Sequence, residues 1–145
     1  MLLAGDGTRM RPLTYTKPKP LLKVSNETIL QHNLNQLKRA GVEDVIFVVG
    51  YLQEQIKNFL EKNSMGMNFR FAKQNTQLGT GHALLQAEKF VTDGTFMVMY
   101  GDDYYHYDDI KKCLESDLCV TAKEVQDPQR FGVFILENGF ARDLI

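Results

Sequence analysis

The sequence has few cysteines and histidines, no long apolar run and no excess of positive charge. It has two cysteines and three histidines, too few for a disulfide framework and an improbable basis for a zinc site. Its longest apolar run, Val45–Val49, is far shorter than the roughly 20 residues that cross a bilayer. Lysine and arginine number 17 against 18 aspartate and glutamate residues, so no global positive field would hold the chain on nucleic acid or on an anionic membrane. We therefore expect no nucleic-acid partner and no membrane association, and any anion site must be local.

The cellular location is predicted from two further absences. The N-terminal sequence runs from Met1 through two leucines into a glycine turn, without the features of a secretory signal peptide. Cys113 and Cys119 form no Cys-x-x-Cys pair and are expected to be small apolar residues of a reducing compartment. The sequence therefore predicts a cytoplasmic protein.

The 145 residues alternate short apolar runs with helix-spaced segments, which is typical of an α/β sheet. The sequence also predicts a C-terminal hairpin around Asn138 and Gly139. The first strand is short and the last stops at Ile145 without a cap, so we expect a piece of a larger domain, incomplete at both ends. The predicted strands are Met1–Ala4, Val45–Val49, a strand with Phe69 and Phe71, Phe96–Tyr100 and Leu118–Ala122, and the predicted helices carry Leu30 to Leu37, Leu52 to Leu60, Ala83 to Phe90 and Asp108 to Leu114.

A basic loop, residues 5–23, follows the first predicted strand. Backbone N–H groups at such a turn can meet phosphate oxygens, and prolines at 12, 18 and 20 stiffen the loop. A rigid cationic loop suits a triphosphate, because arginine supplies a planar donor fork and lysine a point charge. A solvated basic loop is the alternative. Its charged residues are Arg9, Arg11, Lys17, Lys19 and Lys23 against Asp6, a net of +4.

Two adjacent carboxylates end the apolar segment 96–100. Open α/β sheets bind ligands outside the carboxyl ends of their strands, which is where Asp102 and Asp103 fall. Adjacent side chains on an extended backbone point in opposite directions, so the two are not expected to share one metal ion. The alternative role for either carboxylate is to cap a turn.

Long motifs resemble those of a known family. Residues 3–14 read LAGDGTRMRPLT and residues 18–22 read PKPLL, which resembles the opening signature of the sugar-1-phosphate nucleotidyltransferases, G-x-G-T-R-[LM]-x-P-L-T followed by P-K-P. Further matches follow in the family's order: Gln74, GTGHA at 79–83, YGD at 100–102, and DP at 127–128 with FGV at 131–133. The resemblance implies a Rossmann-like three-layer αβα fold with a mostly parallel mixed sheet. Residues 1–145 would be the N-terminal part of a single nucleotidyltransferase domain.

The resemblance also implies roles for individual residues. Arg9 and Lys19 would be catalytic and grip the reacting phosphates, Asp102 would bind Mg²⁺, and Gly132 would border the sugar phosphate. The reaction is an in-line attack by a sugar 1-phosphate on the α-phosphorus of a nucleoside triphosphate, which expels pyrophosphate. Nucleotide binding would fall to Leu3, Ala4, Gly5, Gly7, Thr8, Gln74, Gly79 and Thr80, with Leu3 to Gly5, Gln74 and Gly79 at the pyrimidine ring.

The expected function is therefore synthesis of a nucleotide sugar. The expected partners are UTP or dTTP and glucose 1-phosphate or N-acetylglucosamine 1-phosphate, with Mg²⁺ as cofactor, and a longer protein could be a homo-oligomer. The alternative is a non-catalytic, nucleotidyltransferase-like regulatory or assembly subunit, against which the joint presence of Arg9, Lys19 and Asp102 argues. An NAD-dependent dehydrogenase is disfavoured, because Met10 stands at the third glycine of the dinucleotide fingerprint.

Some residues depart from the family or have simpler interpretations. Asp6 stands where the family most often has a small residue or lysine, which places a carboxylate near the phosphates. The family's remaining sugar contacts and second metal-binding aspartate would lie beyond Ile145. His82 is expected to pack or hydrogen-bond rather than act as an acid or base, His106 to lie in an ordinary loop, and the pair 108–109 to cap a helix.

Overall fold

A computed structural model describes residues 1–92 and 94–145. It consists of short strands and four α-helices, joined by loops and single turns of 3₁₀-helix. The strands are β1 (Leu2–Leu3), β2 (Lys23–Val24), β3 (Glu27–Thr28), β4 (Asp44–Val49), β5 (Asn68–Lys73), β6 (Phe134–Glu137) and β7 (Phe140–Leu144). The helices are α1 (Ile29–Arg39), α2 (Gln53–Lys62), α3 (Thr80–Leu85) and α4 (Tyr107–Leu114).

The central sheet contains three parallel strands in the order β1, β4, β5. Leu3 pairs with Val49, and Val49 pairs with Lys73, so the three strands end at the same edge. Helices α1 and α2 provide the crossovers between successive strands, as parallel strands require. The predicted α/β class with a parallel sheet is confirmed.

Both faces of this sheet are covered. Adjacent residues of β4 point to opposite faces, and each face has its own buried cluster. Phe47 is fully buried in the larger core, together with leucines of α1 and α2. Val48 faces the other way into a smaller cluster with Ala83 of α3. Side chains of this size contribute on the order of 1.5–3 kcal/mol each when fully buried. The result is a three-layer αβα arrangement, with β1, β4 and β5 in the middle.

Helix α1 illustrates how the sequence dictates an element. Leu30, Leu34 and Leu37 recur at helical spacing and are all buried. The hydroxyl oxygen of Thr28 accepts a hydrogen bond from the Gln31 backbone N–H at 3.0 Å and caps the first turn. Gly41, with a φ of 79°, follows the last turn and provides the left-handed residue that commonly ends a helix.

Two predicted strands are absent from the described residues. Segment 96–100 lies beside β1 but makes one parallel bridge, between Leu2 and Tyr100. Met99 is buried against the core, whereas Phe96 and Val98 are exposed, and among residues 1–92 and 94–145 no strand pairs with the outer side of this segment. Residues 118–122 form no strand either, and 96% of the Leu118 surface is exposed. An apolar run forms a strand only where a neighbouring strand completes the hydrogen-bonded ladder.

Other element boundaries also differ from expectation. The predicted third helix divides into α3 and a 3₁₀ turn at Glu88–Phe90. His106, rather than the pair 108–109, caps α4: its Nδ1 accepts from the Asp108 N–H at 3.4 Å, and Asp108 and Asp109 lie in the first turn. The C-terminal hairpin, β6 with β7, is confirmed. The described helices include none with the length and apolar character needed to traverse a bilayer.

Candidate active site

A cleft of about 400 Å³ lies at the carboxyl ends of the parallel strands. It brings together eleven of the twelve residues to which the family resemblance assigns roles. They are Leu3, Ala4, Gly5, Gly7, Thr8, Arg9, Lys19, Gln74, Gly79, Thr80 and Asp102. Residues from four separate stretches of sequence thus converge on one concavity, the usual position of a ligand in an open α/β sheet.

Gly132 is the predicted residue that does not line the cleft. It precedes β6 and packs against Leu144, since a Cβ on Gly132 would come within 3.1 Å of the Leu144 Cδ1. In the described part of the chain, β6 and β7 pair only with each other and not with the central sheet. The hairpin therefore does not bring Gly132 to this cavity.

The basic loop is held in place at several points. The hydroxyl of Thr14, a buried residue, donates to the Gly7 carbonyl at 2.8 Å. Gly7 has a φ of 61°, and a Cβ there would lie 2.9 Å from the Thr14 Cγ2, so this turn requires glycine. Tyr51 donates its hydroxyl to the Tyr15 carbonyl at 2.7 Å, which ties the loop to the start of α2. The loop is thus built as a fixed support for whatever it binds.

Only two of the five cations in this loop reach the cleft. Arg9 and Lys19 are among the lining residues, whereas the Arg11 guanidinium lies over the Tyr15 ring, 5.2 Å from its centroid. Lys17 and Lys23 are also outside the set of lining residues. The local charge that the sequence predicts is therefore divided between the cleft and the surrounding surface.

Inside the cleft, Lys19 forms an ion pair with Asp102. The Lys19 Nζ donates to the Asp102 Oδ2 at 2.7 Å, and the two side chains are 26% and 40% exposed. With Arg9 and Asp6 also lining the cleft, the formal charges of these four side chains cancel. A triphosphate, which carries about four negative charges, would therefore need positive charge beyond what these four side chains supply.

The oxygen ligands of the cleft would suit a magnesium ion that takes most of its ligands from a phosphate group and water. Within the described residues, no group of three or more His, Cys, Asp or Glu side chains is arranged to hold a metal ion. Mg²⁺ does not require such a cage, since it commonly binds through one or two carboxylates together with substrate phosphates and water. Asp102 offers a partly exposed carboxylate in a cleft with room for phosphates.

Asp102 and Asp103 face different cavities, as the sequence predicts. Asp102 lines the cleft, whereas Asp103 lines a separate cavity bounded by residues 95–123. The backbone here is a turn rather than the extended segment expected from the sequence. Burial raises the pKa of the Asp103 carboxyl, repulsion by Asp102 adds to the effect, and Lys19 opposes it. A raised pKa means that the surroundings of Asp103 do not favour its charged form.

Polar residues on α1 hold the segment that follows Asp102. Asn33, which is fully buried, donates its amide to the Asp103 carbonyl at 2.8 Å and accepts from the Tyr105 N–H at 3.3 Å. Gln36 accepts from the Tyr107 N–H at 3.1 Å. Sequence reasoning did not identify either residue, because buried amides at core positions of a helix have no distinctive spacing. Their contacts fix the backbone from which Asp102 projects.

A second group of contacts forms another wall of the cleft, to which residues 74–83 contribute. Gln74, only 4% exposed, donates its amide to the Gly79 carbonyl at 3.1 Å and to the His82 Nδ1 at 3.0 Å. Gly79 has a φ of 90° and a ψ of 179°, a conformation that only glycine adopts readily. Gln77, which the sequence did not single out, donates its side-chain amide to the Ala4 carbonyl. This wall therefore has ordered polar groups close to the backbone after β1.

Comparisons with known proteins agree with the motifs. The family model described as nucleotidyl transferase matches residues 1–143. The chain is 34% identical to the bifunctional protein GlmU of Methanococcus maripaludis strain S2, over all of this chain and 33% of GlmU. It is 37% identical to the UTP–glucose-1-phosphate uridylyltransferase AglF of Haloferax volcanii, over 95% of this chain and 59% of AglF. The chain thus spans between a third and three fifths of the length of these relatives.

Among solved structures, the chain resembles HddC from Yersinia pseudotuberculosis, solved as a complex with GMP-PN. The TM-score is 0.79 and the sequence identity 30%, over 99% of this chain and 66% of HddC. The likeness in fold therefore extends across nearly the whole chain.

Proposed function

Because the chain belongs to the sugar-1-phosphate nucleotidyltransferases of the nucleotidyl transferase family, we propose that its cleft binds a nucleoside triphosphate for transfer to a sugar 1-phosphate. In this reaction a phosphate oxygen of the sugar 1-phosphate attacks the α-phosphorus. The bond from the α-phosphorus to the oxygen that bridges to the β-phosphate breaks, and pyrophosphate leaves. The observation that carries the proposal is the convergence of Arg9, Lys19 and Asp102 on the cleft that also contains Gln74.

Arg9 and Lys19 would bind the phosphates. The reaction joins two polyanions, so catalysis depends on positioning and on neutralising charge rather than on a covalent enzyme intermediate. Both cations project from a loop whose backbone is fixed by Thr14, and little reordering is needed on binding. Lys19 is paired with Asp102 in the free protein and would exchange that carboxylate for a phosphate.

Asp102 would bind Mg²⁺ once Lys19 has moved to the phosphates. When bound, Mg²⁺ would neutralise phosphate charge and hold phosphate and carboxylate oxygens together. The zero formal charge of the four cleft side chains supports this need for a metal ion. Asn33 would act indirectly, by fixing the backbone beside Asp102.

UTP and dTTP are the triphosphates that we propose. AglF, a relative at 37% identity, is named for UTP and glucose 1-phosphate. Leu3, Ala4 and Gly5 would contact the base through their backbone, with Gln74 and Gly79 at its edge and with Gly7, Thr8 and Thr80 nearby. HddC was solved with GMP-PN, so guanine is the competing base.

The acceptor half of the site would involve parts outside these 145 residues. We propose that the chain is the N-terminal part of a nucleotidyltransferase domain, consistent with its coverage of 33% of GlmU and 59% of AglF. Gly132 would reach the sugar phosphate only when the β6–β7 hairpin docks on the rest of such a domain. The glucose-type or N-acetylglucosamine-type 1-phosphate is proposed as acceptor.

Release of pyrophosphate tests this function. UTP or dTTP would be incubated with Mg²⁺ and glucose 1-phosphate or N-acetylglucosamine 1-phosphate, using the 145-residue chain and a version lengthened at both ends towards the size of its relatives. We expect turnover by the longer version only, dependent on the sugar phosphate. The control is the same longer version with Arg9→Ala and Lys19→Ala. Folded longer protein that binds UTP and releases no pyrophosphate with either acceptor would favour a non-catalytic role.

A further inference from the structure

We propose that His82 is a positioning residue that fixes the Gln74 amide so that the cleft accepts a base with a ring N–H and disfavours cytosine. The inference rests on the proposed function, because it concerns the base of the same nucleotide. It assigns a role to a histidine whose hydrogen bonds, in the described part of the chain, go to Gln74 and Gln86. The role follows from a chain of hydrogen bonds with defined directions.

The contact with Gly79 defines the orientation of the Gln74 amide. A backbone carbonyl only accepts hydrogen bonds, so the Gln74 atom that lies 3.1 Å from the Gly79 carbonyl must be the amide nitrogen. The same nitrogen lies 3.0 Å from the His82 Nδ1. The two amide hydrogens thus have one acceptor each, provided that the His82 Nδ1 carries no proton.

The hydrogen bond with Gln74 also defines which nitrogen of the His82 ring carries the proton. A neutral imidazole accepts at one nitrogen and donates at the other. The Gln86 amide nitrogen lies 3.3 Å from the His82 Nε2, but the same nitrogen already donates to the His82 carbonyl at 3.1 Å. The shorter ring contact is the one to Gln74, and it assigns the acceptor to Nδ1 and the proton to Nε2.

The remaining polar atom of the Gln74 side chain is its Oε1. Among the described residues no group donates a hydrogen bond to this oxygen, and the one buried side-chain polar atom without a partner is the Gln53 Oε1. The Gln74 Oε1 is therefore accessible, and Gln74 lines the cleft. Because the amide nitrogen already donates to Gly79 and His82, Gln74 has only its acceptor oxygen to offer to a base.

An acceptor at this position selects among bases. Uracil and thymine carry a ring N–H at N3, which can donate to the Gln74 Oε1, whereas N3 of cytosine is itself an acceptor. Two acceptors facing each other lose the hydrogen bond and leave a buried polar group unpaired. If His82 did not hold the second amide hydrogen, Gln74 could rotate and present its nitrogen, and the distinction between UTP and CTP would weaken.

The test compares UTP, CTP and inorganic tripolyphosphate, each with Mg²⁺, by isothermal titration of the 145-residue chain. In His82→Leu we expect UTP affinity to fall by about three- to tenfold, as for one lost neutral hydrogen bond. CTP affinity should not fall, so that the UTP-to-CTP ratio narrows by about the same factor. Tripolyphosphate, which lacks a base, should bind as it does to the parent and reports an intact cleft.

Two matched variants separate positioning from general stability. His82→Asn should restore the parent ratio, because its side-chain oxygen can take the place of Nδ1 as the acceptor for Gln74. Gln86→Met removes the contact at the other ring nitrogen and should leave UTP binding unchanged. An unchanged UTP-to-CTP ratio in His82→Leu, or an equal loss in Gln86→Met, overturns the inference. A parent chain that binds no nucleotide more tightly than tripolyphosphate instead overturns the proposed function, and the inference with it.

Discussion

In the Asp102→Asn variant, Mg²⁺ is expected to lose most of its effect on the nucleotide, with Mg²⁺-dependent affinity or turnover falling on the order of a hundredfold or more. The amide preserves the size of the side chain and removes its charge, and Mg²⁺ prefers charged oxygen ligands together with phosphates. The measurement is UTP affinity with and without Mg²⁺, by isothermal titration of the variant and the parent. In the parent the two affinities should differ widely, and in the variant they should nearly coincide.

Asp103→Asn is the matched control, since it makes the same chemical change one residue away. Asp103 lines a different cavity, and burial together with repulsion by Asp102 raises the pKa of its carboxyl. Loss of its charge should leave most of the Mg²⁺ effect in place. Equal losses in the two variants, or a larger loss at Asp103, would mean that the metal ligand is wrongly assigned.

Arg9→Ala and Lys19→Ala are each expected to weaken triphosphate binding by about 10- to 150-fold, the cost of a lost hydrogen bond to a charged group. Arg9 lies in a loop that core packing does not depend on, so its loss should not unfold the protein. Lys19 is paired with Asp102, so its removal also leaves a carboxylate that repels the phosphates. Fluorescence or calorimetric titration with Mg²⁺ and UTP measures both effects.

Lys17→Ala separates contact from long-range attraction. Lys17 belongs to the same loop and carries the same charge as Lys19, but it does not line the cleft. Lys17 is exposed, and salt screens an exposed charge that makes no direct contact, so this variant should bind nearly as the parent does. If Lys17→Ala lost as much affinity as Lys19→Ala, or if the Arg9 and Lys19 variants bound UTP like the parent, the phosphate contacts would be wrongly placed.

The sequence predicted the regular parts of the fold well, because their signals are local. The leucines of α1 recur at helical spacing, and Gly41 supplies the left-handed turn that ends the helix. The apolar run at Val45–Val49 is a strand because it is buried on both faces by covering helices. In both elements the local pattern and the tertiary packing agree.

Prediction failed where a partner strand decides the outcome. Phe96–Tyr100 has the composition of a buried strand, yet in the described chain it is paired at a single bridge on one side. The segment Leu118–Ala122 also lacks a partner strand in the described chain and forms no ladder. The helix cap at His106 was also missed, because a histidine that accepts from the following turn resembles any other loop residue in the sequence.

The candidate site shows the same division. The family resemblance pointed to eleven residues that line the cleft, which lies where the three parallel strands end. It did not identify Gln77 or Asn33, whose contacts join positions about 70 residues apart. Gly132 was assigned through the resemblance and lies on a hairpin apart from the central sheet.

We propose the cleft as a nucleoside triphosphate site, and ligand-dependent stability tests this assignment. The most direct measurement is the shift in the thermal unfolding midpoint of the 145-residue chain on addition of UTP, dTTP, GTP or NAD, each with and without Mg²⁺, because a ligand that binds the folded state raises this midpoint. We predict that UTP or dTTP gives the largest rise, that the rise depends on Mg²⁺, and that NAD gives none. Protection by NAD alone, or by none of the three triphosphates, would mean that the cleft is not a nucleoside triphosphate site.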